Sequence, residues 1–170
     1  MTGKIIGALL IISGCGIFGC SAAADWRKEN SEIKSLIGAL DYMHCELRYR
    51  LTPLPDLCRL AAAEQKGLVE RFLRELAQEL ESNISPNVSC CTVMVLDSLG
   101  PIPGNLRKLL DILGNNLGKF DAEGQLKSLE YVKSCCQEEV EKMNVNRELR
   151  LRGYQTLSLC AGAALAILFV

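Results

Sequence analysis

"LLDILGNNLGKFD", Leu109 to Asp121, is the stretch on which the fold turns. Its leucines and isoleucine recur at helical spacing, yet Gly114 and Gly118 stand four apart among them. A glycine inside a helix costs about 1 kcal/mol against alanine. Either the helix ends here, or a neighbour packs too close for a side chain. Gly118, followed by Lys119-Phe120-Asp121, suits a helix C-terminus running into an N-cap at Asp121. Gly114, still inside the apolar stripe, then marks a close approach of two helices.

The same periodicity extends in both directions. Ile33, Leu36, Ile37, Leu40, Met43, Leu47 and Leu51 form a helical stripe with no breaker before it. Thr52-Pro53 reads as a helix start, with threonine capping and proline in the first turn. Leu54, Leu57, Leu60 and Ala61 define a short second helix ending near Gly67, and Leu68 to Leu80 a third. "SNISPNVS", Ser82 to Ser89, is a loop; "CCTVMVLDSLG", Cys90 to Gly100, permits a strand but lacks a partner strand and is assigned as a short helix. The last stripe runs Leu126, Leu129, Val132, Cys136, Val140, Met143 and continues into the apolar tail. With 49% hydrophobic residues but only 5% aromatic, the composition also favours helices over a β-sandwich. The expected fold is all-α: a helical bundle on two long helices.

Both ends are strongly apolar. Ile5 to Ala24 carries no charge over a length of about 30 Å, the thickness of a bilayer core. Tyr154 to Val170 is also uncharged, at the short end of spanning length. We therefore expect a transmembrane segment over 1–26, a bundle domain over 27–152 and a second transmembrane segment over 153–170. Small residues four apart, Gly16/Cys20/Ala24 and Ser158/Gly162/Ala166, would let such segments pack together within one chain or in a homo-oligomer. Arg27, Lys28 and Lys34 follow the first run, and Lys142, Arg147, Arg150 and Arg152 precede the second, which places the bundle in the cytoplasm. The rival reading is a signal peptide: Ile12-Ser13-Gly14-Cys15 fits a lipobox, making the chain an extracytoplasmic lipoprotein lipidated at Cys15.

Six of the nine cysteines lie between the apolar ends, two pairs of them adjacent. An even six would allow three disulfides, but the adjacent pairs and a long, leucine-rich chain that needs no disulfide scaffold favour reduced thiols, with Cys45 and Cys58 acting as small hydrophobes. No CxxC occurs to support zinc or thioredoxin-type chemistry. His44, the single histidine, cannot face Cys45 from an adjacent helical position. Glu138, Glu139 and Glu141 share their helix with Lys133 and Lys142, as a solvated face does. No nucleotide-binding loop is present, and a net charge of −1 gives no nucleic-acid footprint. The expectation is a protein without catalytic, cofactor-binding or metal residues.

Taken together, "LIGALDYMHCELRYRLTPLPD", "LLDILGNNLGKFDAEGQLKSLE" and "EKM" before an apolar tail resemble the stage III sporulation protein AB family of endospore-forming bacteria. The family's "TPL" corresponds to Thr52, Pro53 and Leu54. Its "LGxxLGxxD" signature, followed by Gln and Lys, corresponds to Gly114, Gly118, Asp121, Gln125 and Lys127. This resemblance implies a helical domain similar to type II secretion F platform-protein domains. It further implies membership of a sporulation secretion or channel complex between mother cell and forespore, in the mother-cell membrane. The implied partner is a secretion-type ATPase, stage III sporulation protein AA, together with other channel subunits.

Overall fold

The computed structural model describes the backbone of residues 2–82, 87–119 and 121–169, and the side chains of 26–82, 87–119 and 121–145. Every element within these residues is helical: α1 (Thr2–Arg50), α2 (Leu54–Ala63), α3 (Leu68–Ser82), α4 (Val88–Ser98), α5 (Gly104–Asn116) and α6 (Ala122–Phe169). Among the described residues no helix is long and apolar enough to cross a membrane. The runs 5–24 and 154–170, the lipobox cysteine and residues 83–86 of the predicted loop lie outside the residues whose side chains are described.

The helices alternate in direction. We call the end where α1 finishes the upper end. α2 descends from it, so that Gln65 beyond its C-terminus accepts a hydrogen bond from Ser35 Oγ at 2.7 Å. α3 climbs back beside α2, where the Arg59 guanidinium pairs with Glu81. α4 descends along α3 and α5, α5 climbs, and α6 returns antiparallel to α1, their register marked by the Asp41–Lys133 and His44–Glu130 pairs. The described parts of α1 and α6 thus leave the bundle at the same, lower end.

The core follows the stripes. Leu36, Leu40, Leu57, Phe72, Leu73, Leu76, Leu110 and Leu113 are all fully buried, and each side chain contributes about 1.5–3 kcal/mol by leaving water. α4 takes helical form because Cys91, Thr92, Val95 and Leu96 recur at the spacing of one helical face and all are buried. Asn87 caps it, its side-chain oxygen accepting from Ser89 N at 3.3 Å.

Four local expectations need correction. Thr52 is not the cap of α2: that position belongs to Pro53, which makes no side-chain cap bond. The Thr52 hydroxyl instead donates to Glu46 Oε1 at 3.2 Å, tying the turn back to α1. Leu51 is 69% exposed and has φ +51°, because it makes the left-handed turn that ends α1 and cannot also point into the core. Cys45 is exposed rather than packed as a small hydrophobe; it lies on the far side of α1 from Met43. α2 also stops at Ala63, short of Gly67, whose φ of +83° turns the chain into α3.

Candidate functional site

The sequence signature gathers at one junction near the upper end. α5 ends at Asn116, and Gly118 adopts φ +72°, a conformation that side-chain-bearing residues adopt at a cost. A Cβ on Gly118 would stand 2.8 Å from Val88 Cγ2 and 3.4 Å from Leu54 Cδ2. The loop glycine is therefore wedged between the first turns of α2 and α4. Its N–H donates to Gln125 Oε1 at 3.0 Å, and Gln125 is itself buried with Nε2 unpaired among the described residues. Asp121 caps α6: Oδ1 accepts from Gly124 N at 3.0 Å, and its carbonyl accepts from Gln125 N at 2.8 Å. Leu54, Gly118, Asp121 and Gln125 thus form one connected corner. Thr52 and Pro53 shape the turn leading to it, and Lys127 stays outside in an exposed pair with Glu123.

Gly114 belongs to the adjoining contact. It is buried inside α5, facing α4. An added Cβ would stand 2.5 Å from Thr92 Cβ and nearer still to Thr92 Oγ1 and Cγ2. Thr92 is held there by its own hydroxyl, which donates to Val88 O at 2.9 Å. No rotation of Thr92 about its Cα–Cβ bond would relieve the clash, because Cβ does not move.

The lower end carries residues that sequence reasoning missed. Glu32, on α1, accepts from Leu68 N at 3.0 Å and Val69 N at 3.3 Å, capping α3 from 36 residues away. One turn earlier, Glu29 Oε1 accepts from Asn105 N at 3.1 Å, the first turn of α5. A negative carboxylate at a helix N-terminus satisfies orphan N–H groups and complements the helix dipole. Gly67 makes room, since a Cβ there would meet the Glu32 carboxylate, with Cδ 3.1 Å away. The one available signal was an acid at position 32 on the apolar face that includes Leu36, Leu40 and Met43.

On the α1–α6 seam, His44 Nε2 lies 3.3 Å from Glu130 Oε1, beside the Asp41–Lys133 pair. The hollow between them holds about 80 Å³, too small for a substrate larger than a few waters. Among the described residues no group of three His, Cys, Asp or Glu could hold a metal. The six described cysteines are free. Burial pushes the Cys58 thiol up to about 12, and burial with the neighbouring Cys135 pushes Cys136 up to about 12. Both stay protonated, and so poorly nucleophilic, at neutral pH. We expect maleimide at pH 7 to label the exposed Cys45 and Cys90 first, and Cys58 and Cys136 only on unfolding; peptide mapping of a time course reads this directly. Early labelling of Cys58 would contradict its burial.

The sequence model of stage III sporulation protein AB matches residues 4–170 of this chain. Among solved structures the chain is similar to a stage III sporulation protein AB (SpoIIIAB), with 18% identity and a TM-score of 0.59, over 72% of this chain and 98% of that one. At that identity the likeness speaks for the fold alone. A comparison with curated proteins gives no match.

Proposed function

Because the chain belongs to the stage III sporulation protein AB family, we propose that this sporulation protein is a membrane-anchored, platform-like subunit of a secretion or channel complex between mother cell and forespore. It works without catalysis and engages a secretion-type ATPase through its bundle. The observation that carries this reading is topological. α1 and α6 leave the bundle at one end, and each is a single continuous helix whose sequence runs on into an uncharged stretch. An anchor at both ends on one side holds the opposite, upper end away from the membrane, free for partners. A non-catalytic role is supported by the small hollow beside His44, about 80 Å³, and by burial that keeps the Cys58 and Cys136 thiols protonated.

The exposed Ser82 at the end of α3 provides the test. Ser82→Cys, placed in a background with the exposed Cys45 and Cys90 changed to Ser, is treated in sporulating cells with a membrane-impermeant maleimide before and after lysis. Labelling only after lysis is the expected result and puts the bundle on the side of an ATPase. Labelling of intact cells would remove the ATPase reading and favour a lipoprotein attached through Cys15.

A further inference from the structure

Two exposed surfaces of this chain match one another and cannot meet within one copy. The first is the outer face of α4. Cys90 is exposed there, with Val93 47% and Met94 43% exposed, an apolar strip one to two turns long. Carboxylates rim it on both sides. Glu75 of α3 accepts only from the Ser98 hydroxyl at 3.0 Å, and Glu79 one turn on makes no ion pair among the described residues. Across the strip, Asp111 of α5 receives, among the described residues, only the Asn115 amide at 3.3 Å. It sits between Arg107, which reaches Asp97 of α4, and Gly114, which touches Thr92, so it borders the same helix. Arg107 is committed to Asp97, leaving Glu75, Glu79 and Asp111 without a cation among the described residues.

The second surface is the knuckle where α1 ends. Tyr49 is 80% exposed and Leu51 69%, the two most exposed large apolar residues among those described. Arg48 beside them is exposed and has no ion pair among the described residues; Arg50 has only a long, exposed contact with Glu46. An aromatic flanked by arginines is the composition enriched at interface centres.

From this complementarity we propose that the Arg48–Leu51 knuckle of one copy docks on the outer face of α4 of a second copy. Tyr49 covers Val93 and Met94, and Arg48 faces the Glu75/Glu79 rim. Height and topology fit. α4 begins at the upper end, where Val88 meets Gly118, and the knuckle stands at that end too. Among the described residues of one chain α4 packs on α3 and α5 and not on α1, so the two surfaces point to different neighbours. The contact is heterologous, head to tail. It uses one surface from each copy, and repetition of it gives a ring or a row.

The chain carries its own probes, because Cys45 lies one turn before Tyr49 and Cys90 lies in the strip. Full-length protein in detergent, mixed from ¹⁴N- and ¹⁵N-labelled copies, is treated with a short bismaleimide and mapped by mass spectrometry. Mixed-isotope links joining Cys45 to Cys90 are expected. Arg48→Glu and Glu79→Lys should each lower their yield about fivefold, the effect of one lost surface pair, and the double variant should recover it. Both side chains are on the surface, and matched melting curves will show that the fold is kept. Absence of mixed-isotope links, links only between like cysteines, or a double variant no better than the singles would overturn the proposal. So would capture of the strip by a different protein that leaves Cys45–Cys90 links unchanged in yield when Arg48 is reversed.

Discussion

Gly114→Leu is expected to abolish the cooperative melt of the bundle, whereas Asn115→Leu next to it melts within about 2 °C of the wild-type chain. The two substitutions add the same side chain one position apart. Asn115 is exposed and holds only Asp111, so a leucine there displaces water. Gly114 has the Thr92 Cβ 2.5 Å from where its own Cβ would be, and α4 cannot give way without leaving Val88 off Gly118. Even Gly114→Ala should lose about 2 kcal/mol or more, since overpacking outweighs the roughly 1 kcal/mol that alanine gains in helix propensity. Because Thr92 Cβ is the obstacle, Thr92→Gly should relieve Gly114→Ala. The double variant would then be more stable than the sum of the single losses predicts, by about 1–2 kcal/mol. Additive losses, or equal melting of the 114 and 115 leucine variants, would mean that the helices do not meet here.

Glu32→Ala should cost about 2 kcal/mol, at the upper end for a lost N-cap, because two N–H groups of α3 lose a buried, charged acceptor together. Glu32→Gln keeps an acceptor oxygen and loses the charge that complements the helix dipole, so about half that loss is expected. The specific readout is amide exchange at Leu68 and Val69, which should quicken in Glu32→Ala well beyond what the change in melting temperature explains. If those amides remain as protected as in the wild type, the cap is made by another group.

The helices themselves were legible because each has an apolar face repeating at 3.6 residues, and Gly, Pro and Asn stand at the turns. Even the apolar segment after Cys90 could be assigned, since a strand needs a partner and none was visible. What the sequence hid are the contacts made across long separations. Nothing near Gly114 names Thr92, and nothing near Leu68 names Glu32, because one-dimensional spacing carries no information on which helix becomes a neighbour. Thr52 was misread for a related reason: threonine before proline is a good local cap, but Glu46, six residues back, offers its hydroxyl a carboxylate instead. Cys45 fell outside the core because two residues along a helix from Met43 is nearly the opposite face, and Leu51 because it makes the left-handed turn after α1. The acid at position 32, which the stripe from Ile33 onward passes over, carries the contact that holds the start of α3 to α1.

Glu29 and Glu32 stand one turn apart on a single rod, and each holds the start of a different helix. α1 therefore acts as a common axle for α3 and α5. Sliding it by even part of a helical pitch, about 5.4 Å, would drag both carboxylates off their amides at once, and turning it would swing both away in the same sense. Neither latch can be released alone by a movement of the axle. Force entering through the lower part of α1 would thus be shared by two struts, and the bundle would hold as one piece or let go as one piece.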